Sequence, residues 1–167
     1  MVDFDRHVRR GHPVVFGLII FFSIIELAIS AWLTSRFNLR HDYLSLAVRD
    51  RTRYILFTSC WTIFFSLFYF ALFLHSPSGG IMTSVFSHAL FLALTWILWT
   101  AAAAAITAAL GGGLNCSAHF VYCGQLNALE GFAWVIWIFV TFALFVVLFR
   151  GVSASRRGDG YRGSLVA

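Results

Sequence analysis

The chain contains no lysine. Its twelve basic residues are all arginine, and seven acidic residues leave a formal net charge of +5. Charge is scarce altogether: 11% of the 167 residues are charged and 60% are hydrophobic. Soluble domains carry about 25% and roughly 45–50% respectively, so an ordinary soluble domain is excluded. Proline is nearly absent, with Pro13 at the start of the first apolar run and Pro77 in a turn. The spans therefore lack the interruptions of transporter helices, and the two halves show no repeat. Of three cysteines, none forms the Cys-x-x-Cys of a thiol oxidoreductase. No C-terminal cysteine offers a prenylation site, and Val2 stands where myristoylation needs glycine. No basic segment has the length or interleaved aromatics of a nucleic-acid site, so nucleic acid is not an expected partner.

What the chain does have is four long, nearly uncharged runs: Val14–Thr34, Tyr54–Leu74, Ile81–Leu110 and Leu126–Phe149. Only Glu26 and Glu130 interrupt them with charge. About 20 apolar residues cross a ~30 Å hydrocarbon core as a helix. The runs are continuous rather than alternating, which excludes a transmembrane barrel. The predicted fold is all-α, an antiparallel four-helix integral membrane bundle with both termini on one side. Its domain covers 13–150, between an N-terminal segment (1–12) and a Gly-, Ser- and Arg-rich tail (151–167) read as disordered. The first run is too long for a signal-peptide core and is expected to be retained.

Arginine counts favour cytoplasmic termini. Arg6, Arg9, Arg10, Arg150, Arg156, Arg157 and Arg162 lie on the terminal side, against Arg36, Arg40, Arg49, Arg51 and Arg53 opposite. The expected location is the plasma membrane or a secretory-pathway membrane. Cys116 and Cys123 share the loop between spans three and four, on the side opposite the termini. A disulfide is favoured there if that side is oxidising, with free thiols or a redox pair as alternatives. Cys60 is expected to be a packed thiol. Asn115-Cys116-Ser117 fits a sequon but is expected to be unused. The first loop, about Ser35–Arg53, reads either as irregular or as a short interfacial helix on Tyr43, Leu44, Ala47, Val48 and Tyr54. His75–Gly80 is a turn by composition, and Gly111–Gly113 ends span three.

Glu26 is the costliest residue, about 18 Å along span one and near the bilayer midplane. Ser23, Glu26, Ser30 and Thr34 form one stripe expected to face the interior. Ser66, Thr95 and Thr141 lie at similar depth as candidate donors, and His88 completes an intramembrane polar seam. Three roles stay open for Glu26: a protonated interhelical hydrogen-bonding residue, a proton or cation site, or a contact for a lipid or sterol headgroup. With one intramembrane histidine, bis-histidine haem ligation is excluded. Ala101, Ala105 and Ala109 recur every fourth residue as a helix-packing stripe, within the bundle or between protomers. Glu130, near the loop-side interface, can reach water or an arginine of the first loop, and a structural ion pair is favoured over catalysis. No residue pattern suggests a catalytic site, a cofactor or a metal.

These features resemble the MARVEL-domain family, in particular its small fungal four-span branch. The resemblance rests on four spans with short connections and on Arg53-Tyr54 leading into the aromatic segment Phe57–Phe70. It rests also on Trp96, Trp99 and the alanine run of span three, and on Cys116 and Cys123 before a span with Gln125, Ala128, Ala133 and Trp134 that closes on Arg150. Claudin-like and tetraspanin patterns fit worse: the first loop has no cysteine and the second outer loop is short. The resemblance implies a non-enzymatic membrane organiser associating with lipid or sterol-rich regions, with roles in trafficking or membrane apposition. Implied partners are membrane lipids, including sterol, and a second copy or another membrane protein. The rival reading is a small proton- or ion-coupled transporter or channel using Glu26, or an accessory subunit of a membrane complex.

Overall fold

The computed structural model describes residues 2–75 and 85–156, with side chains described over 14–71 and 87–149 and at Val152. Four helices follow one another: α1 (Val2–Arg40), α2 (Leu46–His75), α3 (Val85–Leu110) and α4 (Cys123–Arg156). A single 3-10 turn, Cys116–Ala118, lies between α3 and α4. No strand occurs among the described residues. Each helix contains a segment long and apolar enough to cross a membrane: Val14–Arg40, Leu46–Ala71, Ser87–Leu110 and Cys123–Phe149. The protein is an integral, multi-pass membrane protein with an all-α fold.

Packing follows chain order around a ring, α1 on α2, α2 on α3, α3 on α4 and α4 back on α1. Bulky apolar groups face outward, among them Phe21, Phe64, Ile97, Phe142 and Phe145. The inner faces mix aliphatic residues with hydroxyls. Ser23 and Ser30 of α1, Thr52, Thr58, Ser59, Thr62 and Ser66 of α2, and Thr95 of α3 are all buried. α4 turns small and aliphatic residues inward, including Ala133, Ile136, Val140 and Ala143. A helix apolar on its outer face and small or polar on its inner face suits lipid, where association depends on close packing and hydrogen bonds.

The first loop is shorter than its composition suggests, covering residues 41–45. α1 runs on to Arg40 and stops where His41 turns left-handed (φ 55°), its N–H bonding the Phe37 carbonyl at 3.2 Å. Ser45 then starts α2: its Oγ accepts the Val48 N–H at 3.2 Å and its carbonyl the Arg49 N–H at 3.2 Å. Of the residues on which an interfacial helix could be built, Tyr43 and Leu44 lie in this loop, and Ala47, Val48 and Tyr54 belong to the first turns of α2, continuous with its span. Val48 and Thr52 face inward at 0% exposure, which holds those turns against the bundle.

Other boundaries shift as well. α4 begins at Cys123 and continues through Arg156, into the segment whose composition suggested disorder. The His75–Gly80 turn beyond His75, the start of the third run at 81–84, and the tail after Arg156 lie outside the described residues.

Candidate functional site

The polar seam is the part of the bundle interior with chemical capacity. Asn38 of α1 accepts a hydrogen bond from Arg53 of α2, which fixes the antiparallel register. Twelve residues back from Asn38 is Glu26, and twelve forward from Arg53 is Phe65, so Glu26 lies level with Phe65 and Ser66. Trp61 bonds Thr95 and Tyr69 bonds Ser87, which sets the Phe65–Ser66 level between those two points on α3. Ser23, Glu26, Ser30, Ser66, His88 and Thr95 are all 0–1% exposed. Thr34, nearer the loop end, is partly buried.

Within this seam the expected donors do not reach Glu26. Ser30 Oγ donates to the Glu26 backbone carbonyl at 2.7 Å, one turn back on its own helix. Thr95 Oγ1 accepts the indole N–H of Trp61 at 3.3 Å. Thr141 Oγ1 accepts the indole N–H of Trp96 at 2.9 Å and donates to the Trp137 carbonyl at 2.7 Å. Both carboxyl oxygens of Glu26, and the hydroxyls of Ser23, Thr34 and Ser59, have no hydrogen-bond partner among the described residues. His88 packs its ring 4.6 Å from that of Tyr69.

Five threonine hydroxyls, Thr95 and Thr141 among them, are occupied instead by tryptophan. Trp96 and Thr100 on α3, and Trp137 and Thr141 on α4, form a reciprocal pair. Trp137 donates to Thr100 at 2.8 Å, and Thr100 donates to the Trp96 carbonyl at 2.7 Å. Trp96 donates to Thr141, which bonds the Trp137 carbonyl. The circuit closes because tryptophan and threonine stand four residues apart on each of two antiparallel helices. Trp134 donates to Thr107 at 3.0 Å, and Trp99 to Thr62 at 2.9 Å. Five of the six tryptophans thus join neighbouring helices through a threonine hydroxyl. Sequence reading missed this network, although the Trp-x-x-x-Thr spacing at 96/100 and 137/141 was its visible signal.

The alanine run packs through a different set from the Ala101, Ala105 and Ala109 stripe. Ala102, Ala103 and Ile106 are buried at 0–1%, while Ala101 is exposed and Ala105 and Ala109 are partly buried. The stripe therefore borders the bundle surface rather than lining its core.

Residues 7–149 match the family model of the MARVEL membrane-associating domain. The chain belongs to the MARVEL family. That family is membrane-associating and non-enzymatic. No curated protein and no solved structure gives a significant match.

At the loop end of the MARVEL domain, side-chain bonds add to the buried Phe37, Val48, Leu110 and Leu126. Cys116 and Cys123 form a disulfide with Cα atoms 5.5 Å apart. Asn127 closes the same loop: its Oδ1 accepts the Leu114 N–H at 2.8 Å, and its Nδ2 donates to the Leu114 carbonyl at 2.9 Å. One amide side chain thereby supplies both bonds that a neighbouring strand would offer. Tyr122 Oη donates to Asp42 Oδ2 at 2.8 Å, joining this loop to the first. Burial and that hydrogen bond push the Tyr122 hydroxyl above its usual pKa, with the charges of Arg40 and Arg36 opposing. Cys60 is exposed on α2 rather than packed inside.

Glu130 does not form the expected ion pair. The described ion pairs are Arg49–Asp50 at 2.9 Å and Arg53–Asp50 at 3.9 Å. Glu130 instead approaches the glycine turn, where a Cβ added at Gly113 would stand 4.0 Å from its Oε2. Gly111, Gly112 and Gly113 all have positive φ, which lets the chain reverse without a side chain beside that carboxylate.

Proposed function

We propose that the protein is a non-enzymatic membrane organiser that acts through its lipid-facing surface. It associates with ordered, sterol-containing membrane regions and serves trafficking or membrane apposition, with its termini cytoplasmic in a plasma or secretory-pathway membrane. One observation carries this reading: the bundle directs its hydroxyls inward to neighbouring helices and presents Phe21, Phe64, Ile97, Phe142 and Phe145 outward. The chemistry that meets the surroundings within the membrane is thus apolar contact area. Reconstitution into giant vesicles with coexisting ordered and disordered phases tests it. Enrichment in the ordered phase relative to a single-span control peptide is expected, and exclusion from that phase overturns the reading.

A second reading rests on Glu26, a carboxyl at 0% exposure near the middle of its span with both oxygens unpartnered among the described residues. Intramembrane carboxyls of this kind mark proton pathways in transport proteins. A pH-driven proton flux in vesicles, present for the wild type and lost in Glu26→Gln, supports this reading. Flux no greater than that of empty vesicles removes it.

A further inference from the structure

The two helices that meet at the first loop treat their arginines differently. On α2, Arg49 and Arg53 share the carboxylate of Asp50. On α1, Arg36 and Arg40 have no carboxylate within 4.0 Å among the described residues. Their corner is nevertheless built. The Arg36 guanidinium stands 5.2 Å over the Trp32 ring, and the Trp32 ring meets Tyr122 edge to face at 5.2 Å. Trp32 is also the one tryptophan whose indole is not bonded to a threonine in the network above. Arg40 follows Arg36 by one helical turn on α1 and is exposed. Asp42, the carboxylate of this corner, accepts from Tyr122 at Oδ2, and its Oδ1 is buried.

Depth fits a headgroup. Tryptophan and tyrosine collect at the membrane–water interface. Arg36 and Arg40 follow Trp32 by one and two helical turns, about 6 and 12 Å farther out. That is the level of lipid phosphates, to which arginine stems extend from the apolar edge. The planar guanidinium matches two phosphate oxygens at once, and stacking on an indole fixes its orientation.

We propose that Arg36, stacked on the platform of Trp32 and Tyr122, and Arg40, one turn farther out, bind the phosphate of an anionic glycerophospholipid in the leaflet at the loop end, which with cytoplasmic termini is the lumenal leaflet of a secretory-pathway membrane. The inference deepens the reading of the protein as one that works through lipid contacts. It concerns a headgroup, whereas phase partition reports the apolar surface, so the two fail separately.

Native mass spectrometry of the full chain, released from nanodiscs of equal phosphatidylserine and phosphatidylcholine, tests the site. The wild type retains phosphatidylserine in preference to phosphatidylcholine. Arg36→Gln with Arg40→Gln lowers that retention by roughly 10–30-fold, at about 1 kcal/mol per arginine. The double Arg→Lys variant, which keeps charge and loses the planar fork, falls between the two. Arg49→Gln, at the arginine already neutralised by Asp50, retains the lipid as the wild type does. An intact Cys116–Cys123 bridge and an unchanged melting temperature certify that each variant is folded. Equal retention of both lipids by the wild type, or full retention by the double Gln variant, overturns the proposal. Displacement of the lipid by millimolar inorganic phosphate also overturns it, because the site then belongs to a soluble anion.

Discussion

The hydroxyl of Tyr122 reaches the carboxylate of Asp42 across a gap of eighty residues in the chain. One loop is stapled by a disulfide and the other is five residues long, and this single bond ties them together. Tyr122 also adopts a left-handed backbone (φ 58°), a conformation that a non-glycine residue holds only when its surroundings impose it. Tyr122→Phe should lower the melting temperature while leaving the helix content unchanged by circular dichroism. The pH dependence has a definite sign. Because folding raises the Tyr122 pKa, its contribution is fully present below the unfolded value near 10 and is lost as pH rises through the higher folded value. Alkaline melting curves should therefore converge for wild type and Tyr122→Phe, and parallel curves up to the highest pH would remove this assignment.

The Cys116–Cys123 bridge should shield both thiols from maleimide in intact membranes until a reductant is added. Cys60, exposed on α2 within the span, is the internal control and should label only with a membrane-permeant reagent. Equal labelling of the loop cysteines with and without reductant would place that loop in a reducing compartment, against cytoplasmic termini.

Thr100→Val and Thr141→Val each leave one indole N–H of the α3–α4 circuit without its acceptor. Each should cost about 0.6–1.7 kcal/mol, from the average to the maximum found for interhelical bonds in a membrane protein. The double variant should cost less than the sum, because the two bonds share one circuit. Reversible unfolding in mixed micelles gives the numbers, and strict additivity would show that the bonds act independently.

The alanine run separates into two classes. Ala103 is 0% exposed, so Ala103→Leu overpacks the core and should cost about 1–3 kcal/mol. Ala101 is exposed, and Ala101→Leu should leave stability unchanged within ~0.5 kcal/mol. A change in oligomer size for Ala101→Leu, read by native mass, would instead place the outer stripe at a contact between protomers.

Glu26→Leu should be tolerated. Among the described residues no hydrogen bond reaches either carboxyl oxygen, so the leucine strands no donor and removes an insertion cost of about 2.5–3.5 kcal/mol. Glu26→Gln, still polar and equally buried, should be less stable than Glu26→Leu. The reverse order in unfolding assays would show that the carboxyl has partners in the membrane.

The sequence by itself determined the class of the fold. Runs of 21 to 30 residues with almost no charge admit helices across a bilayer and little else, because lipid offers the backbone no hydrogen-bond partner. It also put Ser23, Glu26, Ser30, Ser66, His88 and Thr95 in the interior, since polar groups on such helices have nowhere cheaper to lie. Loop boundaries were less legible. Arginines and Asp50 in the first turns of α2 read as loop, whereas Val48 and Thr52 on the inner face keep those turns helical. Only the tertiary structure decided the partners. Thr95 and Thr141 were candidates for Glu26 by depth, but depth says nothing about rotation around a helix axis. Rotation and register together turn those hydroxyls to Trp61 and Trp96 and leave the Glu26 carboxyl without a bond among the described residues. The same geometry brings Tyr122 to Asp42 and to the Trp32 ring over which Arg36 stands. One-dimensional spacing fixes which residues share a face of one helix, and only packing fixes which faces meet.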